Sequence, residues 1–355
     1  RTGALPPYGE KTSAEFICHR LAGRGLDTEL QEFSPGRANA LALLDVNAAS
    51  TLILDAHCDT VGHENMRIPP FEPLVREGRL YGRGACDNKA SLAVFMAALE
   101  EVLARGIKPA RNLLLLACGD EEFSFAGLEE VQKRGLPKTE YALVGEPTRL
   151  QMLNQHKGVM RVFLRARGLS CHSCEPQRGR NAIYKLSEAI LRLRDLAARM
   201  ANERHGSPLG PASLNVGVCK GGEAPNVVPE SAWAEIDIRL VPGMDSGTMM
   251  TELRTALDGL AELSLDPPHK DSPVFIQAED SLPCRELQNA ASLTHSEMGF
   301  CSASFATHAP LYQKVGIPAI VFGPGDIAQA HTDSEFVELA QVEKALDIVL
   351  HLICT

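Results

Sequence analysis

Residues 51–59 read TLILDAHCD, an apolar run interrupted only at Asp55 and followed at once by His57 and Asp59. A strand this apolar has to be covered on both sides, as strands are in a parallel sheet packed between helices. The same arrangement recurs three times. NLLLLAC (112–118) precedes Asp120-Glu121-Glu122, YALV (141–144) precedes Glu146, and PAIVF (318–322) leads through the glycine-rich GPGDIAQAH (323–331) to His331. A fifth fragment, YGRGACDNKA (81–90), places Asp87 in a glycine-rich loop that runs into a helix. In open α/β sheets the carboxyl ends of parallel strands border the crevice where ligands bind. Imidazole and carboxylate groups gathered there suit zinc, cobalt or manganese better than calcium, which prefers oxygen alone. Together the fragments point to a hydrolase with two metal ions.

Outward from these strands the chain alternates helix and strand. EKTSAEFICHRLAGRG (10–25), KASLAVFMAALEEVLARG (89–106) and FAGLEEVQKRG (125–135) carry apolar residues at helical spacing and close on glycine. Near residue 159 the style changes. VMRVFLRARG (159–168) alternates like a half-exposed strand, and SLNVGVCKGG (213–222) and SAWAEIDIRLVPG (231–243) read as two further strands, with the long amphipathic stretch 181–206 and a second helix at 246–262. A last short strand is expected at ELSLDPP (262–268). From about 270 the first style returns, with a helix around 283–299 and a closing helix at 339–354. The expected architecture is an α/β catalytic domain, residues 1–159 and 269–355, with a mostly parallel sheet and helices on both faces. Residues 160–268 form an inserted α+β two-layer sandwich.

Composition narrows the function classes. A formal charge of −10 over 355 residues, with no basic run, argues against nucleic acid or an anionic membrane as partner. No stretch reaches the roughly 18 consecutive apolar residues of a membrane span, and no signal peptide is visible. The ten cysteines lie mostly in apolar runs, which reads as free thiols in a reducing cytoplasm and not as a disulfide framework.

Each fragment also has a plain structural reading. His57 and Asp59 share a strand face, so Asp59 can receive the second ring N–H of a metal-bound His57; otherwise the pair is a polar turn. Asp87 can bridge two cations, or Asp87 or Asn88 can cap the helix that follows. The three carboxylates at 120–122 form a solvated turn, or repel one another until a cation or proton relieves them. Cys171-His172-Ser173-Cys174 resembles half a zinc ribbon, but the chain has no second C-x-x-C to complete it.

The motifs LDAHCDTV, GRGACDNK, GDEE, VGEP, GLSCHS, PNVVPE, IDIRLVPG and GPGDIAQAH, in this order, resemble the acetylornithine deacetylase, succinyl-diaminopimelate desuccinylase and aminoacylase group of dinuclear metallohydrolases. The resemblance implies two divalent ions, zinc first, with cobalt or manganese as substitutes. Asp87 would bridge them, with His57 and Glu146 completing one site and Glu122 and His331 the other. It further implies Glu121 as general base, Asp59 as the partner of His57, and a cis peptide at Asp87–Asn88. His172 would be a lid histidine reaching the substrate carbonyl from a partner subunit, and Asn226 and Arg239 would hold substrate. ATHAP (306–310) resembles the deacetylase branch, except that His308 stands where that branch usually has glutamate, which makes His308 a candidate substrate contact. The expected protein is a cytoplasmic homodimer, joined through the lid, that cleaves the amide of an N-acyl amino acid such as N-acetylornithine. A dipeptidase, carboxypeptidase or desuccinylase is the alternative within the same chemistry. A non-catalytic metal-binding scaffold is the alternative outside it.

Overall fold

The computed structural model describes residues 9–354. The chain forms two compact units. One takes the chain up to Asn154, then Ile276–Cys301 and from Thr307 onward; the other takes Gln155–Phe275 and Ser302–Ala306.

The first unit is built on a mostly parallel sheet. Strand Thr51–His57 pairs in parallel with Asn112–Cys118 on one side and Thr139–Val144 on the other, and Thr139–Val144 pairs in parallel with Ala319–Val321. Arg37–Leu44 and Asp27–Ser34 extend one edge antiparallel, and Met152–His156 begins an antiparallel edge beside Ala319–Val321. Every residue of Thr51–His57 is buried, as its apolar run requires. Each leucine of this kind taken fully out of water contributes about 1.5–3 kcal/mol.

Helices α1 (Lys11–Ala22), α2 (Lys89–Ala104), α3 (Ala126–Arg134), α6 (Leu282–Leu293), α7 (Ala309–Lys314) and α8 (Leu339–Cys354) cover this sheet. Side chains of α1, α2, α6 and α8 form one apolar cluster with Leu52, Leu54 and Ala56, the alternate residues of the central strand. Asp55, on the opposite face of that strand, meets Tyr312 of α7 and His308 just ahead of it. Helix α3 lies on that second face too, where Asn39 donates to the Gly127 carbonyl. The approach is close: a Cβ on Gly127 would fall 2.2 Å from the Gly119 carbonyl oxygen, so only glycine lets α3 sit against the end of strand Asn112–Cys118.

The second unit is an antiparallel sheet in the order Ser213–Gly221, Ser231–Leu240, Gly158–Arg167, Leu263–Leu265, with Lys270–Ser272 also on Gly158–Arg167. Helices α4 (Ala182–Glu203) and α5 (Ser246–Ala256) pack on it through a shared apolar cluster. Asn181 caps α4 by accepting the Ile183 and Tyr184 N–H groups. The units change over at 154/155 and 275/276, outside the 159/160 and 268/269 expected from sequence. Pairing explains the shift: Lys270 is in register with Arg161, so both flanks of the insertion belong to its own sheet.

Candidate metal centre

The four parallel strands end at one edge of the sheet, and the chemistry gathers there. His57 is the last residue of its strand. Its Nε2 lies 2.9 Å from Asp87 Oδ1, and its Nδ1 lies 3.1 Å from the Asp59 carbonyl oxygen and 3.4 Å from Asp59 Oδ1. The other Asp87 oxygen, Oδ2, is 3.3 Å from His331 Nε2, which also lies 2.9 Å from Glu122 Oε1. One carboxylate therefore offers its two oxygens to two different imidazoles, and the ligand atoms of His57, Asp87 and Glu122 lie within 4.8 Å of one another.

Asp59 has a second task that its spacing from His57 does not reveal. Its Oδ1 accepts the Glu121 N–H and its Oδ2 the Glu122 N–H, each at 3.1 Å, which holds the acidic turn to the strand that carries His57. Asp120 turns the other way. It takes a positive φ of 67° and pairs with Arg37 Nη2 at 2.5 Å, while Arg37 also binds Glu10. Of the three consecutive carboxylates, this one is neutralised by an arginine away from the imidazoles. Asn88 precedes α2 without capping it, and its amide donates to the Gly145 carbonyl, tying the Asp87 loop to Glu146. The Asp87–Asn88 peptide is cis.

Burial and charge act on these groups in opposite directions. Burial above all, with the charges of Asp87, Glu121 and Glu122, pushes the Glu146 carboxyl well above the usual carboxylate range, against the opposing pull of His57. Glu122 is raised by burial and by Asp87. Burial also works against ionised Asp87, but hydrogen bonds from His331 and His57 outweigh it and hold that carboxyl well below its ordinary value. Asp59, likewise buried, is drawn down to about 2 by His57 and the two backbone N–H groups. His331 is raised to about 10 by its bonds to Asp87 and Glu122. His57 is raised well above the imidazole norm by Asp59 and Asp87, despite its burial.

Two imidazoles and a group of crowded carboxylates, facing one another in a crevice that is buried except at His331, fit divalent cations. The donors are nitrogen and oxygen only, and a cation would offset the burial and mutual repulsion that raise Glu122 and Glu146. A second group of donor atoms, on Asp55, Cys118 and His308, also lies within 4.8 Å. There Asp55 Oδ2 already accepts from His308 Nδ1 and the Tyr312 hydroxyl, both at 2.9 Å, and burial keeps the Cys118 thiol protonated. It serves as a hydrogen-bonded anchor for α7.

His308 is therefore a correction. It is 2% exposed, and its ring packs on Phe125 and bonds Asp55, so it has no surface to offer a substrate. His172, Asn226 and Arg239 all lie in the second unit. His172 and Asn226 are exposed neighbours: the Ser173 N–H donates to the Asn226 carbonyl, and His172 bridges to Val227. The guanidinium of Arg239 is held 2.7 Å from Asp237. Cys171 and Cys174 join no group of metal-type donors among the described residues.

The structure adds residues that no fragment suggested. Arg83 and Glu335 form a buried ion pair at 2.7 Å beside Asp87. Arg37 and Glu10 secure Asp120. The one available signal was position: Glu335 follows His331 by four residues, and Arg83 precedes Asp87 by four.

The chain is 30% identical to the acetylornithine deacetylase of Proteus mirabilis, over 99% of this chain and 92% of that protein. An M20 family metallo-carboxypeptidase from Sulfolobus solfataricus superposes with a TM-score of 0.78 at 19% identity, covering 97% of this chain and 93% of that one. The YXEP protein of Bacillus subtilis, described as a dinuclear metal binding peptidase of the M20 family, superposes at 0.67 with 15% identity, covering 99% and 94%. The family model of peptidase family M20/M25/M40 matches residues 53–355, a span that takes in every residue of the crevice. The chain belongs to this family, and it is a metal-dependent hydrolase of amide bonds.

Proposed function

We propose that the protein releases a free amino acid from its N-acyl derivative, N-acetyl first, with an N-acetylornithine-like molecule as substrate. The observation that carries this reading is the Asp87 carboxylate shared between His57 and His331, with Glu121 held beside Glu122 on the Asp59 carboxylate. The identity to an acetylornithine deacetylase over nearly the whole chain supports the acetyl group and the amino acid.

In this reading His57, Asp87 and Glu146 hold one cation and Asp87, Glu122 and His331 the other. Zinc suits the donors first, with cobalt or manganese as substitutes. Bound there, the ions would lower the pKa of water and polarise the substrate carbonyl. Glu121 takes the proton from the attacking water as its oxygen bonds the carbonyl carbon. The C–N bond then breaks, and Glu121 returns the proton to the departing amine nitrogen. Asp59 keeps His57 oriented and fixes the backbone of Glu121 during the transfer.

His172 donates to the developing oxyanion from the second unit of a partner subunit, and Asn226 and Arg239 of that unit hold the substrate. A homodimer is supported by the open edge strand Ser213–Gly221. It is supported too by Tyr184 and Leu191, apolar and exposed at 74% and 52%, seven residues apart on α4. Ten free thiols suit a reducing cytoplasm.

Relative kcat/KM over N-acetylornithine, N-acetylcitrulline, N-succinyl-diaminopimelate and a few dipeptides tests the substrate. The acetylated amino acids are expected to lead, and a preference for dipeptides would transfer the protein to the peptidase reading. Glu121→Gln is expected to keep its metal and lower kcat by about 10²–10⁴-fold; unchanged turnover would remove Glu121 as the base. Leu191→Lys is expected to give monomers in sedimentation velocity, with turnover lost because His172 no longer reaches a partner's centre; an unaltered dimer would argue against this face.

Metal uptake is expected to release protons. His331, protonated up to about 10 in the metal-free protein, and His57, also raised, must both become neutral before they can bind a cation. Apparent affinity then climbs with pH and falls in acid. The metal-free fold behaves in the opposite sense. Its imidazole–carboxylate pairs stabilise it fully below the unfolded imidazole value of about 6.5 and fade as pH rises towards the raised folded value. Zinc calorimetry in buffers of different ionisation enthalpy, near neutral pH, should register about two protons released. No buffer dependence would argue that these imidazoles are not the ligands.

A further inference from the structure

The geometry points to Glu335, acting with Arg83, as the residue that positions the metal centre. This rests on the reading of Asp87 and His331 as ligands. Glu335 is 1% exposed, and its carboxylate accepts four hydrogen bonds. Oε1 takes the Cys86 and Asp87 N–H groups, both at 2.9 Å. Oε2 takes the Gly84 N–H at 3.0 Å and Arg83 Nη1 at 2.7 Å. The loop before Asp87 is thus wrapped around one carboxylate, and the Asp87 backbone is itself one of the donors.

Arg83 carries the restraint further. Its Nη2 donates to the Thr332 carbonyl at 3.2 Å, one residue beyond His331, and its Nε donates to the Gly62 carbonyl at 3.1 Å, in the loop after His57 and Asp59. The Gly82 N–H returns to the Glu335 carbonyl at 3.1 Å. The segments that carry His57 and Asp59, Asp87, and His331 are therefore joined by a single buried ion pair. Hydrogen bonds to a charged acceptor are stronger and more directional than neutral ones, so the pair sets the Asp87 carboxylate between the two imidazoles before any ion arrives. Glu335 touches neither imidazole nor any group assigned to substrate. It acts only through Asp87 and His331.

Glu335→Gln keeps the volume but turns an NH₂ group towards backbone N–H donors that need an acceptor. Arg83→Lys keeps the charge and loses the fork that spans Gly62 and Thr332. Zinc affinity, measured by competition with a chromophoric chelator and without substrate, is expected to weaken about 10–100-fold in Glu335→Gln. A smaller loss in the same direction is expected in Arg83→Lys, and kcat of both at saturating metal should return to within a few-fold of the native value. An ion pair that served stability alone would lower the melting temperature of the chelator-treated protein and leave zinc affinity unmoved; that result in either folded variant overturns the inference. Should Glu335→Gln fail to fold, Arg83→Lys decides alone. The native protein is the control for the ligand assignment: if it takes up no zinc, that assignment fails and this inference with it. If it takes up zinc but hydrolyses no N-acyl amino acid, only the substrate reading fails.

Discussion

Repulsion among buried carboxylates is the constraint on which the rest of this structure depends. Asp87, Glu121, Glu122 and Glu146 lie together at the carboxyl edge of one sheet, and burial together with the charges of the first three raises the Glu146 carboxyl well above the usual carboxylate range. Such a concentration of charge in a low-dielectric crevice persists only with positive partners. Two imidazoles supply them in the protein itself, His57 to Asp87 and His331 to Asp87 and Glu122. Divalent ions are the remaining partners that the donor set fits.

The hydrophobic core makes this arrangement rigid. The polar ends of the four parallel strands inherit their positions from apolar runs with little freedom to slip: on Thr51–His57 a one-residue shift would turn Asp55 and His57 into the helical core and Leu52, Leu54 and Ala56 out of it. The alternation on Thr51–His57 divides its work: Leu52, Leu54 and Ala56 enter the helical core, while Asp55 and His57 face the other side. Below the centre, Asp55 is held by His308 and Tyr312, and the bare Cα of Gly127 admits α3 against Gly119. His308 therefore anchors the start of α7 to the sheet.

Much of the fold was legible because its elements are strongly periodic. The central parallel strands, all the helices but the short α7, and the main strands of the second unit fall where the apolar spacing put them, whereas α7 and Lys270–Ser272 are too short to show a period. The antiparallel strand Asp27–Ser34 was not foreseen: it is largely exposed at the sheet edge and has no apolar alternation to announce it. Side-chain partners were harder to read. Asn88 had the position of a helix cap and instead donates to Gly145. Asp120 looked equal to Glu121 and Glu122 until Arg37, far away in sequence, took it out of the crevice. His308 had a motif context that suggested a substrate and a burial that forbids one.

By itself the sequence determined the order of strands and helices and the placing of histidines and carboxylates just after buried strands. Those properties follow from local spacing, since burial imposes periods of two and 3.6 residues on any chain that forms these elements. Only the tertiary structure decided which polar groups meet. Glu335 reaches Arg83 across 252 residues of chain, His308 reaches Asp55 across 253, and Glu122 reaches His331 across 209. Such pairings depend on sheet register and on the packing of loops at a shared edge. Local spacing carries no record of either, because a carboxylate's partner is chosen by what the completed fold brings within about 3 Å of it.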